Sequence, residues 1–252
     1  MKLCSVCDET DIVTLTSEID ITGKDFSITC LENENCPSEY CSIQGSGGHR
    51  LFSGAPQKAN FDSIQFRNGE GADGGAFHLT GGATNFNSCG FLNNKATAGD
   101  GGALYVSGSS TKVTLTGTGE STYNGATYGA FLLATNGASI VIDSVGAVDS
   151  LGGISLNIAE QSGGLLAAMG GSNVTLQNME VRCGNQAKNG GDYFFIQNDA
   201  SVECQAVTFQ VLATSTVDEQ PPPFYSEAGI IGNSPTCKAS TQVGEKICKR
   251  QN

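Results

Sequence analysis

At 252 residues the chain is long enough for one large domain or two small ones, and only 15% of it is charged. Its 25 acidic against 13 basic residues give a net charge of −12, a surface that repels phosphate backbones and anionic lipid heads, so no nucleic-acid or membrane-surface partner is expected. No apolar run approaches the roughly 18 residues of a membrane helix, tryptophan is absent, and 34 glycines punctuate short Val, Ile, Leu and Phe runs that lack a 3.6-residue period, so the chain reads as all-β.

Residues 1–48 form an entry segment. Alternating patterns over 12–16, 19–22 and 26–30 have the period of half-buried strands. Cys30, Cys36 and Cys41 bracket an acidic loop containing Pro37, and with Cys4 and Cys7 they make five cysteines, of which at most two pairs can close locally. Cys4-Ser5-Val6-Cys7 has no second such pair or nearby histidine to complete a zinc site, so disulfide use is the reading. A cysteine-rich first coil would cap the open end of a stack of strands. Ten cysteines in all point to an oxidising compartment, hence a secreted or surface-displayed chain whose leader has been removed.

Residues 49–212 repeat. Asp73-Gly74-Gly75-Ala76-Phe77-His78-Leu79 returns as Asp100-Gly101-Gly102-Ala103-Leu104-Tyr105-Val106, then as Tyr128-Gly129-Ala130-Phe131-Leu132-Leu133, Gly163-Gly164-Leu165-Leu166 and Gly190-Gly191-Asp192-Tyr193-Phe194-Phe195. A second apolar set at 61–66, 86–91, 113–116, 140–142, 174–176 and 202–204 keeps the same step of about 27 residues, the signature of a solenoid. Two strand sets with one period stack in parallel, about 4.8 Å per coil, in six or seven coils. A longer step before the fourth copy places an insertion at 152–161. Positions 77, 104, 131, 166, 193 and 79, 106, 133, 168, 195 are expected inside. Positions 76, 103, 130, 165 and 78, 105, 132, 167, 194 are expected outside. His78, Tyr105, Leu132 and Phe194 would then line a flat, weakly polar face suited to a protein partner, to self-assembly or to stacking on sugar rings. Residues 213–252 break the pattern at Pro221-Pro222-Pro223 and carry Cys237 and Cys248, further disulfide candidates, on a cap or arm that could instead cover that face.

Across 61–107 the units Gly74-Gly75-Ala76-Phe77 and Gly101-Gly102-Ala103-Leu104 alternate with Phe91-Leu92-Asn93-Asn94. This alternation resembles the repeat of the polymorphic outer-membrane proteins, in the style of secreted algal versions that follow a Cys-rich first turn. The resemblance implies a right-handed parallel β-helix of the pectin-lyase-like kind, displayed outside the cell. It covers about 50 residues strongly, and the autotransporter barrel of that family has no counterpart here.

The chemistry offered is sparse. Asp73 and Asp100 occupy equivalent positions and should lie about 5 Å apart, which allows a Ca²⁺ site or an acid/base pair; their replacement by Thr127, Ser162 and Asn189 in later copies favours simple corner residues. A polysaccharide lyase, hydrolase or epimerase would draw on Asp73, Asp100, His78 and Arg67. No other cofactor is implied. Cys89 and Cys204 fall at inward strand positions and read as inert buried thiols. Thr114, Thr116 and Thr118 meet Val141, Asp143 and Val145 on the next coil, so no ice-binding threonine ladder forms. Asn173-Val174-Thr175 is a glycosylation sequon. The sequence thus favours a non-catalytic structural, adhesive or assembly module over an enzyme on the same scaffold.

Overall fold

The structure is a computed structural model and describes residues 2–4, 12–31, 41–117, 119–143, 154–181, 185–189, 193–205, 207–209 and 224–227. Among the described residues there are only strands and turns, and every strand pairing is parallel. Sheet I holds eight strands: Lys2–Cys4, Asp25–Leu31, Lys58–Asp62, Ala83–Asn87, Lys112–Thr116, Ser139–Asp143, Asn173–Gln177 and Ser201–Gln205. Sheet II runs from Val13–Leu15 through Cys41–Gly45, Ile64–Arg67, Gly90–Leu92 and Ser121–Thr122 to Ile154–Ser155. Glu180–Val181 and Thr208–Phe209 pair separately at the corresponding place in the later coils. Sheet III is built from Glu70–Gly71, Lys95–Ala96, Gly125–Tyr128, Ile158–Ser162 and Gln186–Ala187. Sheet IV contains Ile19–Asp20, Phe52–Gly54, Phe77–Leu79, Leu104–Ser107, Leu132–Thr135, Leu166–Ala168, Phe194–Gln197 and Phe224–Glu227. In each full coil the chain visits sheets I, II, III and IV, then returns to I one strand further along, the arrangement of a parallel solenoid.

Both ends contribute strands to the stack. Lys2–Cys4, Val13–Leu15 and Ile19–Asp20 already belong to the stacked sheets, and Phe224–Glu227 pairs in register with Phe194–Gln197. The extra length before the fourth glycine copy lies elsewhere than expected. Ile154–Ser155 and Ile158–Ser162 are regular members of sheets II and III, so the added residues fall between Asp143 and Ile154, outside the described residues.

Sheet I shows why alternation became strand. Phe61, Phe86, Leu115, Ile142, Leu176 and Cys204 stand in one inward column, with Ala59, Thr84, Val113, Ile140, Val174 and Val202 beside it. Parallel stacking puts like on like, so phenylalanines of successive coils lie face to face. Phe52–Phe77 and Phe61–Phe86 are stacked at 4.9 and 5.3 Å, both at 11°. Contacts between columns are edge-on, as in Phe66–Phe77 at 4.8 Å and 88°. Such pairs add about 0.5–1.5 kcal/mol each beyond their area burial.

The corner between sheets II and III is closed by a buried column of asparagines, Asn94, Asn124, Asn157 and Asn185. Each Nδ2 of the first three donates to the Oδ1 of the next asparagine, at 3.1, 2.9 and 2.9 Å. All four also donate to a carbonyl of the preceding coil: Phe66, Phe91, Ser121 and Ile154. Each Oδ1 additionally accepts a backbone N–H, from Gly69, Asn94, Asn124 and Asn157. The Phe-x-x-Asn spacing is the sequence trace of this ladder, which buries polar groups only because they are mutually satisfied.

The corner between sheets III and IV uses glycine instead. Gly74, Gly101, Gly129 and Gly163 all adopt positive φ, between 60° and 76°. A Cβ on Gly101 would sit 2.3 Å from the Leu104 carbonyl oxygen. This column sets the register of sheet IV and corrects the expected one. Leu104 pairs with Leu132, not Phe131, and Leu166 pairs with Phe194, not Tyr193. The inward columns are therefore 77, 104, 132, 166, 194 and 79, 106, 134, 168, 196. Ala76, Ala103, Ala130 and Leu165, expected outside, are fully buried at the corner.

Cys30 and Cys41 form a disulfide across a Cα–Cα distance of 5.4 Å, tying a sheet I strand to the following sheet II strand. Cys204 is disulfide-bonded, which overturns its reading as a free thiol. Cys89 is a free thiol; burial drives its pKa up to about 12, so it stays protonated and unreactive. Cys4 lies in the first strand, whereas Cys7, Cys36, Cys237 and Cys248 lie outside the described residues.

Candidate functional site

Sheet IV alternates like the others, and its outer column reads Asp20, Ser53, His78, Tyr105, Leu133, Ala167 and Phe195 in register. Two of the expected face residues are thereby exchanged. Leu132 and Phe194 point into the core, at 0% and 2% exposure, and their neighbours Leu133 and Phe195 take the outer positions. A slip of one residue moves a side chain to the opposite face of a sheet.

The column has two halves. At one end, His78 is half-buried beside Tyr105, with ring centroids 4.6 Å apart at 69°. Arg50, on the turn before Phe52, donates from Nη1 to His78 Nδ1 at 2.7 Å. That bond requires a lone pair on Nδ1 and hence a neutral imidazole with its proton on Nε2. Arg50 Nε lies 3.7 Å from Glu18 Oε2, and this buried nitrogen makes no hydrogen bond. Burial, then the neighbouring guanidinium, lowers the His78 pKa, against the opposing pull of Asp73 and Glu18. Burial raises the Tyr105 pKa, Asp73 and Asp100 raise it further, and a hydrogen bond from Ser107 opposes them. The site therefore presents a neutral imidazole and a neutral phenol.

At the other end, Leu133, Ala167 and Phe195 are buried on the outer side of the sheet in an apolar cluster of their own. Tyr105, Tyr128 and Met169 pack against it, and Tyr128 stacks on Phe195 at 5.2 Å and 26°. The expected flat exposed strip is thus closed over at its apolar end.

Asp73 and Asp100 occupy equivalent places on adjacent coils. Asp73 Oδ1 accepts the Asp100 backbone N–H, and Asp100 Oδ1 accepts the Tyr128 N–H, both at 3.0 Å. The third residue of this column is Tyr128, one place beyond the expected Thr127, and it pairs with Ser162. Burial raises the Asp100 pKa, the Tyr128 N–H opposes the rise, and the Asp73 charge adds to it. Among the described residues no three His, Cys, Asp or Glu side chains gather as a metal-binding group, here or elsewhere.

Arg67, expected near Asp73, is on sheet II, aligned with Gln44 and Leu92, and donates through Nε to Gln65 Oε1 at 2.6 Å. Arg50, one coil earlier, takes the place foreseen for it. Asn173 is exposed on sheet I and accepts a hydrogen bond from Ser201 Oγ at 2.6 Å. Thr114 aligns with Val141 and Thr116 with Asp143, so these threonines do not continue as a ladder; Thr118 and Val145 are outside the described residues. Among the described residues no helix is long and apolar enough to cross a membrane. Comparison with protein-family models, with curated proteins and with solved structures finds no match to the chain.

Proposed function

We propose that the chain is a right-handed parallel β-helix of the pectin-lyase-like kind that works outside the cell as a non-catalytic structural, adhesive or assembly module. Parallel crossovers within one sheet are right-handed in nearly all proteins, which supports the handedness. The Cys30–Cys41 disulfide supports an oxidising, extracellular setting. The observation that carries the functional reading is the use made of the aligned carboxylates. Each holds the backbone of the next coil through Oδ1, the part of a corner residue and not of an acid/base pair. Partner contact, with a protein, a second copy or a carbohydrate, falls to the half-buried His78–Tyr105 end of the outer column.

A competing reading is a polysaccharide-acting enzyme, favoured by the grouping of His78, Tyr105 and Arg50 beside Asp73. The double variant Asp73→Asn/Asp100→Asn separates the two, because an amide oxygen still accepts both backbone N–H groups. A structural module keeps its fold and its co-purifying partners in this variant, and neither form depolymerises acidic polysaccharide. Turnover by the wild type that the double variant loses would establish the enzyme instead.

A further inference from the structure

Glu18, Arg50, His78 and Tyr105 stand on four successive coils and touch in sequence along the outside of sheet IV: Glu18 to Arg50 Nε at 3.7 Å, Arg50 Nη1 to His78 Nδ1 at 2.7 Å, and His78 edge-on to Tyr105 at 4.6 Å. We propose that this run of side chains is an acid-sensitive clasp that holds the first two coils of the N-terminal end onto the third. The inference goes beyond the functional reading above and holds whether or not the column binds a partner.

The clasp depends on one lone pair. The guanidinium is always charged, so its bond to Nδ1 exists only while the imidazole is neutral. A protonated His78 would place two cations at hydrogen-bond distance and turn the central link into a repulsion. The groups facing His78 are mixed in sign. Arg50 opposes its protonation; Glu18 and Asp73 favour it, the Tyr105 ring lies against it, Asp100 acts on that tyrosine, and Asp20 stands two strands away in the same column. Burial and Arg50 together prevail and keep the ring neutral. Because the folded state lowers the His78 pKa, the clasp contributes fully above the unfolded value of about 6.5 and is lost as pH falls below it. Arg50 would then lose its acceptor and keep only the long contact to Glu18. The turn before Phe52 and the turn before Ile19 would be released from the coil above.

The test is amide hydrogen exchange of the intact chain, wild type against His78→Asn, between pH 7.5 and 5. Asparagine offers Oδ1 near the place of Nδ1 but does not titrate, and the ratio of the two proteins at each pH cancels the intrinsic pH dependence of exchange. The expected result is a wild-type/variant ratio near one at pH 7.5. It should rise toward acid in residues 12–54 by up to about tenfold per pH unit, the limit for one linked proton. Residues 104–176 should show no such rise, and a His49→Asn variant should behave as wild type. A ratio that stays flat, or that rises equally in all coils, overturns the proposal. Independently of any variant, an NMR titration that placed His78 above about 6.5 in the folded protein would overturn it as well.

Discussion

The two inner corners of each coil solve one problem by opposite means. Between sheets II and III the turn of four successive coils is held by a side chain, the buried amide of Asn94, Asn124, Asn157 or Asn185, each rung satisfying the next, with Gly69 in the corresponding place one coil earlier. Between sheets III and IV the turn is held by the lack of a side chain, at Gly74, Gly101, Gly129 and Gly163. The amide corner leaves nothing free for other work. The glycine corner confines its constraint to the backbone, so the outer positions that follow it are free to vary from His78 to Phe195, and there the candidate site lies.

If that contrast is right, the largest loss should come from the amide ladder. Asn124→Ala orphans the Asn94 N–H, one Asn94 amide proton and the Phe91 carbonyl, and should cost about 3–5 kcal/mol in urea denaturation. Asn185→Ala orphans the equivalent groups, the Asn157 N–H, one Asn157 amide proton and the Ile154 carbonyl, and should cost a comparable amount. The glycine corner should rank next: Gly101→Ala forces a non-glycine residue to φ 66° against the Leu104 carbonyl, for about 2–3 kcal/mol by the same measurement. An equal cost for alanine at Gly23, where φ is also positive but no atom lies within 4 Å, would show that strain alone and not the close approach matters.

Thr84 supplies the opposite case, a buried hydroxyl with no partner among Ala59, Val113 and Phe86. Thr84→Val should therefore stabilise by about 1 kcal/mol, whereas an asparagine rung replaced by an apolar residue destabilises.

The smallest effect concerns the carboxylate beside the glycine corner. Asp100→Asn keeps the bond to the Tyr128 N–H and removes a charge that burial disfavours. Its folded pKa is raised, so wild type regains stability as pH falls through that value. The variant should melt slightly higher than wild type at pH 7, and the gap should close toward about pH 4. A gap that widens in acid would show that the Asp100 charge is used, not merely tolerated.

The misread positions share one cause. Tyr128-Gly129-Ala130-Phe131-Leu132 offers two apolar residues in succession, and aligning it on Gly-Ala-Phe matches Phe131 with Phe77. In the fold it aligns on the positive-φ glycine, so Leu132 takes the inward place and Leu133 the outer one. Both Phe131 and Leu132 are fully buried, one at the corner and one in the strand, so hydrophobicity could not choose between them. The arginine follows a related rule. Register along the repeat favours Arg67 for Asp73, whereas a long side chain at a turn, that of Arg50, reaches along the stack to His78 on the strand above. The asparagine ladder was visible at Asn94, but its continuation at Asn124, Asn157 and Asn185 follows residues other than phenylalanine in the first position, and the shared amide was the signal to follow.

By itself the sequence determined the all-β class, the period of about 27 residues and the parallel stacking, because strand alternation and glycine corners are local rules that act on each repeat alone. Which of two adjacent apolar residues faces out, which arginine meets His78 and which backbone N–H each aspartate accepts were decided only by the tertiary structure. Those outcomes depend on the side chains of the neighbouring coils, which lie one full turn away in the chain but about 4.8 Å away in space.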